Sequence, residues 1–222
     1  AVLSGIVFAI GCSVYFCWPL VELCFGVSRY LVAEIAASLG LRYAYDDFSP
    51  PGFEQFELLA LVPDRDTARF RNLLEGEWHG LAFSVYEAVL EDRHQPRNSL
   101  ITAARVFRGQ LFRITCPRRF GGKTILARDL GWLNGFAWRG PGMSRAGMVD
   151  NRFERAFEVW TSDQLEARYL LDPLVLERFI ELDRQFGGKK LRAAFHEQQI
   201  FIVIEGSKML PDLPLTGSFY EY

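Results

Sequence analysis

The first 21 residues form a hydrophobic run without a single charged side chain. As a helix rising 1.5 Å per residue, this run would be about 31 Å long, close to the hydrocarbon thickness of a bilayer. Tyr15 and Trp18 lie near its end, where aromatic rings favour the headgroup region, and Pro19 would end or kink the helix there. We therefore predict a transmembrane segment over residues 1–26. Because the chain does not begin with Met, we expect this segment to be the last part of a longer membrane region. A buried core helix is the alternative, as is a signal sequence, although the basic start that such a sequence needs is missing.

The remaining pattern switches between helical and strand periodicity. The first half of the chain predicts helix 28–39 ended by Gly40, strand 41–45, helix 53–61, a hairpin over 72–91 turning at His79-Gly80, and a hairpin over 101–116 turning at Gly109-Gln110. Strand 123–130 and a loop over 131–147, packed through Trp132, Phe136 and Trp138, follow. The last part predicts helix 162–171 with a capping box from Thr161 to Gln164, helix 174–186 with Asp172 as N-cap and with Leu174, Arg178, Phe179, Leu182 and Phe186 along one side, and a hairpin over 191–206. This order predicts an α+β fold, a mainly antiparallel sheet with flanking helices, over residues 27–206. Residues 207–222, rich in Pro, Gly and aromatic residues, are expected to form an extended tail.

Composition narrows the class of protein. The chain has 222 residues, of which 50% are hydrophobic, and a net charge of −2. These values exclude a disordered or collagen-like chain, and the near-neutral charge with no recognisable binding motif argues against nucleic acid as a partner. Three of the four cysteines, Cys12, Cys17 and Cys24, lie in the apolar start, and Cys116 is alone. No pair has zinc-ligand or redox spacing, which fits a reducing compartment for the later part.

The net charge conceals a strong segregation of charge along the chain. Residues 30–92 hold 12 acidic and 4 basic side chains, whereas residues 93–128 hold nine basic side chains and no acidic one. Such a segment creates a local positive potential that would suit anionic lipid headgroups or an acidic partner protein. Pairing of the basic strands with the acidic ones is the alternative. The predicted partner- or lipid-binding residues are Arg105, Arg108, Arg113, Arg118, Arg119 and Lys123.

One block has the character of a family signature. Residues 153–178 read FERAFEVWTSDQLEARYLLDPLVLER, and they are preceded by LEGEWHGLAFSVYEAVLE, VFRGQLFRI and FGGKTILARD. These segments resemble the bacterial domain-of-unknown-function 3137 family, whose pattern is similar to F-E-x-x-F-x-V-x-[ST]-[ST]-D-x-x-E-A-R-Y-[LI]-L-x-P. The resemblance covers about residues 30–206 and departs at Gly206-Ser207-Lys208-Met209, where Phe-Glu is expected. It implies hydrophobic segments ahead of a cytoplasmic domain at the inner membrane, and it implies no activity.

Few residues suggest chemistry. Glu87 follows Leu81, Phe83 and Val85 at a period of two, so it would share their face and could be a buried carboxylate; an ion pair with an arginine or a solvent-facing edge is the alternative. A candidate ligand site combines Glu87 with the polar members of the signature block, Asp163, Glu166, Arg168 and Tyr169. Helix capping and ion pairing, such as Arg168 with Asp172, are the alternative explanation of the latter four residues, and the one that we favour.

Other motifs fail on spacing. The sequence Gly121-Gly122-Lys123-Thr124 resembles the end of a phosphate-binding loop, but Pro117 stands where that loop requires glycine. The three histidines have no metal-ligand spacing. We predict no metal, no cofactor and no catalytic residue.

The combined pattern predicts a non-enzymatic accessory, scaffold or assembly subunit of a larger bacterial inner-membrane complex. Its soluble domain would lie on the cytoplasmic side and contact other subunits or anionic lipid headgroups. The alternative is a membrane-anchored enzyme or small-ligand sensor with a site near Glu87 and the helix over 162–169.

Overall fold

A computed structural model describes residues 26–27, 29–94, 102–128, 142–148, 150–187 and 190–206. The helices in this part are α1 (29–38, with 26–27 also helical), α2 (Phe53–Leu58), α3 (Asn151–Ala156), α4 (Gln164–Leu170) and α5 (Pro173–Gln185). The strands are β1 (Arg42–Ala44), β2 (Thr67–Trp78), β3 (Leu81–His94), β4 (Thr102–Thr115), β5 (Thr124–Arg128), β6 (Ser144–Ala146), β7 (Phe157–Thr161), β8 (Leu191–His196) and β9 (Gln199–Glu205).

The strands of the described residues join in one sheet, in the order β1-β2-β3-β4-β9-β8-β5-β7-β6. Every neighbouring pair is antiparallel. The predicted α+β class with an antiparallel sheet is therefore confirmed. This order places β1, which follows α1 in the chain, at one edge of the sheet. It places β6 and β7 at the other edge, and α4 follows β7 in the chain.

The predicted turn at His79-Gly80 is confirmed, and the one at Gly109-Gln110 is wrong. His79 and Gly80 have φ of 51° and 78°, as a two-residue turn with positive φ at both positions requires. Gly109 instead lies inside the continuous strand β4, opposite Glu205 of β9. A Cβ at Gly109 would lie 2.6 Å from the carbonyl oxygen of Ile204, so the glycine allows close approach of two strands rather than a turn.

Both sheet faces carry a core. On one face, α2 packs through Phe56, whose ring meets Phe201 edge to face at 5.0 Å and Tyr86 at 6.4 Å. On the other face, α3 and α5 cover the second half of the sheet, with Phe153 stacked on Phe157 at 5.0 Å. The two faces explain why apolar residues in β5, β8 and β9 are nearly continuous rather than alternating.

The helix α5 agrees in part with its prediction from the sequence. Asp172 caps α5 by accepting a hydrogen bond from the Val175 N–H, Pro173 is its first residue, and Gly187 follows its end with φ of 67°. The predicted side is right at Phe179, which is buried, but wrong at Leu174, which is 61% exposed, because Leu176 rather than Leu174 packs into the core. Strands β6 and β7 are additional to the prediction.

Several predictions fall on residues outside those described. These are most of the transmembrane segment over 1–26, the aromatic anchors Trp132, Phe136 and Trp138, and the tail over 207–222. Among the helices that the structure describes, no helix is both long and apolar enough to cross a bilayer.

Candidate functional site

The signature block builds a corner where β7 passes into α4. Asp163, not Thr161, is the N-cap of α4, because its Oδ1 accepts hydrogen bonds from the N–H groups of Leu165 (2.9 Å) and Glu166 (3.0 Å). The predicted capping box is thus wrong by two residues. Thr161 ends β7, and its hydroxyl accepts the Asp163 N–H and meets the Thr124 hydroxyl at 2.9 Å.

Glu166 binds the loop that joins β4 to β5. Its Oε1 accepts the Gly121 N–H at 2.7 Å and its Oε2 accepts the Gly122 N–H at 2.6 Å. The next amide, of Lys123, donates to the Ser162 hydroxyl at 2.8 Å. A Cβ at Gly122 would lie 2.9 Å from the Cβ of Asp163, so the second glycine is needed for this close approach. We call this arrangement the Glu166 clamp.

The Glu166 clamp shows that the Gly-Gly-Lys-Thr sequence (121–124) does not act as a phosphate-binding loop. A phosphate-binding loop must offer free backbone N–H groups to its ligand. Here three successive N–H groups are already bound by side chains of the same chain. The motif therefore orients α4, and the N–H groups of Gly121, Gly122 and Lys123 are not free to cradle a phosphate.

The clamp holds a surface that combines cations with exposed apolar side chains. Leu165 and Tyr169, one helical turn apart on α4, are 82% and 72% exposed. The guanidinium carbon of Arg118 lies 5.7 Å from the centre of the Tyr169 ring, within cation–π range. A cavity of about 410 Å³ opens between them, and Phe120 and Leu170 also line it. We call this cavity the α4 groove.

A second cavity of about 510 Å³ lies on the other side of the same loop. Arg119, Lys123 and His196 line it, together with Glu197, whose carboxylate is 4.0 Å from Arg119. The loop thus presents cations to both cavities. Only Arg118, Arg119 and Lys123 of the six basic residues predicted to bind a partner or lipid come together here.

The other three predicted basic residues lie along β4 and do not join this surface. Arg105 is exposed, whereas Arg108 and Arg113 are half-buried. Arg108 and Arg113 are five residues apart in one strand, so their side chains point to opposite faces of the sheet. Arg113 lies against Gly52, in front of α2, where its charge opposes the burial that raises the pKa of Tyr86. The predicted set of six is therefore not one surface.

Arg168 faces a third environment. It lines a cavity of about 450 Å³ with Met148, Leu171 and Leu176 as its apolar floor and Asp150 at its rim. The predicted ion pair between Arg168 and Asp172 is not among the contacts of these two described residues, since Asp172 caps α5 instead.

Glu87 is half-buried in β3, opposite Arg71 on one side and Gln110 on the other. Burial raises the pKa of Tyr43, and the nearby Glu87 carboxylate contributes to that increase. Glu87 shares a face of β3 with Leu81, Phe83 and Val85, but the β3 residues in the core cluster, Tyr86, Ala88 and Leu90, lie on the opposite face. Strands β4, β9, β8 and β5 separate β3 from β7, about 24 Å of sheet. Glu87 and α4 therefore do not form a single ligand site.

The ion pairs show how some charges of the acidic segment (30–92) and of the basic segment (93–128) are compensated. Glu75 and Glu91 pair with Arg42 and Arg69, which belong to the acidic segment itself. From the basic segment, Arg128 pairs with Asp183 of α5, both carboxylate oxygens lying within 2.8 Å of its guanidinium. These contacts do not join the two segments to each other. Within the described residues, no group of three or more His, Cys, Asp or Glu side chains is placed to hold a metal ion.

The fold and this site define a class: an α+β domain on one antiparallel sheet, with a carboxylate-clamped loop beside an exposed helix. The chain belongs to the family described as protein of unknown function, DUF3137, whose model matches residues 105–218. The family resemblance seen in the sequence is thereby confirmed.

Two further comparisons complete the picture. The crystal structure of the mycobacterial trehalose monomycolate transport factor A, TtfA, is similar at 13% identity with a TM-score of 0.44, covering 78% of this chain and 79% of that chain. A similarity this low carries no functional information. Comparison with curated proteins found no match.

Proposed function

We propose that this chain is a membrane-attached, non-enzymatic accessory or scaffold protein that holds other subunits of a bacterial inner-membrane complex. Its described domain would lie on the cytoplasmic side. The observation that carries this proposal is the outward face of α1, and the surface around α4 supplies the second contact that a scaffold needs.

Helix α1 exposes an apolar face that nothing in the described domain covers. Val27, Leu31, Ile35 and Leu39, spaced by four residues, are 50–60% exposed, and Tyr30 is 65% exposed. Burying one such side chain contributes about 1.5–3 kcal/mol, so a free aqueous helix of this kind is unfavourable. The uncharged residues 1–21 end five residues before Gly26, which supports a bilayer boundary as the environment of this face.

The polar groups with possible chemistry are engaged in folding, which supports a binding role over a catalytic one. Asp163, Ser162 and Glu166 hold α4 and its neighbouring loop. What the same region presents to solvent is Tyr169, Leu165 and arginines, and Tyr and Arg are the residue types most enriched at protein interfaces. The cytoplasmic placement draws support from Cys116, a free thiol.

Two measurements on the full chain in cell membranes test the proposal. The first is extraction at high pH followed by gentle detergent purification and native mass measurement. We expect the chain to stay in the membrane fraction and then to purify with other proteins at fixed stoichiometry. Release by the wash, or purification as a lone monomer, would contradict the proposal.

The second measurement addresses α1. We expect Leu31→Cys and Ile35→Cys to react about tenfold more slowly with an aqueous maleimide in membranes than in detergent. Leu58→Cys is the matched control, since Leu58 is a 74% exposed leucine of α2 and should react equally in both. Equal rates at all three positions would remove α1 from the bilayer boundary.

A further inference from the structure

We infer that the turn between β2 and β3 is a second membrane contact, with the Trp78 side chain seated at the lipid–water interface beside α1. This inference rests on the proposed function, because it takes the outward face of α1 as the bilayer boundary. It goes further by fixing how the domain is held: α1 lies along the membrane surface, and the hairpin tip touches the same surface. The direction of α1, the face of the sheet that carries Trp78 and the placement of nearby charges lead to it.

Helix α1 runs back along β1, antiparallel to it. At the start of the helix, the guanidinium carbon of Arg29 lies 3.5 Å from the centre of the ring of Tyr45, the residue that follows β1. At the other end, the chain turns at Gly40, with φ of 71°, and the Leu41 N–H donates to the Ala36 carbonyl oxygen at 2.8 Å. The exposed apolar residues of α1 therefore form a stripe that follows the edge of the sheet.

Trp78 lies on the face of the sheet that the end of α1 adjoins. A Cβ at Gly76 would lie 2.5 Å from the Leu41 side chain and 3.6 Å from the Gly40 carbonyl oxygen, so this face of β2 meets the end of α1. Trp78 is two residues further along the regular ladder of β2 with β3, so its side chain points to the same face. Trp78 thus continues the apolar stripe beyond Leu39, and the two side chains are 61% and 58% exposed.

The hairpin holds the Trp78 side chain at a defined place. His79 and Gly80 form the two-residue turn, and Trp78 pairs with Leu81 across it. The Trp78 ring meets the His79 ring edge to face at 5.0 Å. A tryptophan this exposed adds little to the core. Trp favours the lipid–water interface, because its ring is apolar and its N–H can still bond to water or headgroups.

The charged side chains of β1 and β2 near the tip point to the other face of the sheet. Arg42 and Glu75, opposite each other in the two strands, form an ion pair at 2.6 Å. Glu75 and Glu77 alternate with Gly76 and Trp78 along β2, so they face away from the end of α1. The contact at Trp78 is therefore apolar, and it needs neither anionic headgroups nor low salt.

The chain itself favours a bilayer over a second protein as the occupant of this surface. Residues 1–21 carry no charged side chain, and they end five residues before Gly26. The apolar stripe begins at Val27, next to this uncharged run, and extends about 18 Å along the helix to Leu39. Trp78 follows at its far end. A helix and a hairpin tip on one membrane surface fix the orientation of the domain, whereas a single attachment point lets it swing.

Tryptophan fluorescence of the full chain in phosphatidylcholine nanodiscs, one chain per disc, tests this inference. The Trp78 signal is the difference between the native chain and Trp78→Phe, a change at a largely exposed side chain that leaves the core intact. Leu58→Trp in the Trp78→Phe chain is the matched control, since Leu58 is 74% exposed on α2, which packs on the opposite face of the sheet.

We expect phospholipids brominated on the acyl chains near the headgroup to quench the Trp78 signal by half or more and to leave the Leu58→Trp signal nearly unchanged. Aqueous iodide should quench the control several times more strongly than Trp78. Because the contact is apolar, high salt should not reduce the quenching by brominated lipid.

The outcomes separate this inference from the proposed function. Equal quenching of the two positions by iodide would overturn the inference, as would lipid quenching that requires anionic lipid or disappears in high salt. A Trp78 signal that neither quencher reaches would also overturn it, since that result indicates burial against protein. If iodide reaches Trp78 while Leu31→Cys and Ile35→Cys stay protected in membranes, the proposed function stands and the hairpin is free of the bilayer. If those two positions also react freely, the proposed function loses its membrane boundary.

Discussion

Removing the Glu166 carboxylate is the sharpest test of how α4 is held. In Glu166→Ala, the amides of Gly121 and Gly122 lose the acceptors that now lie 2.7 and 2.6 Å away. A hydrogen bond to a charged group contributes about 1.5–3 kcal/mol when it is shielded, and less where water can replace the carboxylate. Since Glu166 is half-buried, we expect the two bonds together to contribute about 2 kcal/mol.

The expected loss is measurable. A destabilisation of about 2 kcal/mol should lower the melting temperature by about 4–8 °C in a domain of this size. Glu166→Gln should lose nearly as much, because its amide nitrogen would face one of the two N–H donors. Glu177→Ala is the control, since Glu177 is an exposed glutamate of α5, and its replacement should change stability by less than about 0.5 kcal/mol.

The assay is urea unfolding of the full chain in detergent, combined with hydrogen exchange of single amides. In Glu166→Ala, exchange at Gly121 and Gly122 should accelerate, whereas the Lys123 amide, bound by Ser162, should change less. A midpoint equal to that of Glu177→Ala, with unchanged exchange at both glycines, would refute the clamp as the contact that holds α4.

Three further predictions follow from single contacts. Gly109→Ala should destabilise the fold by about 1–3 kcal/mol in urea unfolding, because its Cβ would lie 2.6 Å from the Ile204 carbonyl oxygen. Gly147→Ala is the control and should change the stability little, because its Cβ would meet only a Glu154 oxygen at 3.5 Å. The backbone N–H of Arg152, and then its guanidinium, donate hydrogen bonds that hold the pKa of Asp150 below its ordinary value of 3.8. The stability that the Asp150 carboxylate adds is therefore full above that value and is lost as pH falls through the lowered pKa. The urea midpoints of the native chain and of Asp150→Asn should converge there, and a constant gap down to pH 2 would contradict this. Burial raises the pKa of the Cys116 thiol, so mass-spectrometric mapping should show slower alkylation of Cys116 at pH 8 in the folded chain than in urea, and equal rates would be the contrary result.

The sequence predicts the local elements well because their signals are local. The positive φ at His79 and Gly80, the cap at Asp172 and the antiparallel pairing of β8 with β9 all depend on neighbouring residues. Gly109 misleads because glycine serves two purposes, and only the presence of β9 beside β4 shows that close approach is the relevant one. Strand β7 is hidden in the same way, because it lies between two short helices and gains its pairing from β5 and β6, which are distant in sequence.

The candidate site could be predicted only in its parts. Asp163, Glu166 and Tyr169 stand out in the sequence, as do Arg118, Arg119 and Lys123, but nothing local indicates that these two groups meet. The sheet order brings them together by placing β5 beside β7, so that the loop before one strand lies against the helix after the other. The same strand order separates Glu87 from α4, although the sequence analysis had placed both in one candidate ligand site.

The signature block through which this chain resembles its family is largely explained by folding. Phe153, Phe157, Val159 and Ala167 are at most 1% exposed in the core. Glu154 accepts the Met148 N–H, Asp163 caps α4, and Glu166 forms the clamp. Arg168 and Tyr169 differ from these residues, because both side chains are exposed and neither is needed to close a turn, a cap or a core. A block whose other members fix the position of α4 so firmly makes Tyr169, with Arg118 beside its ring, the first residue at which to look for a partner.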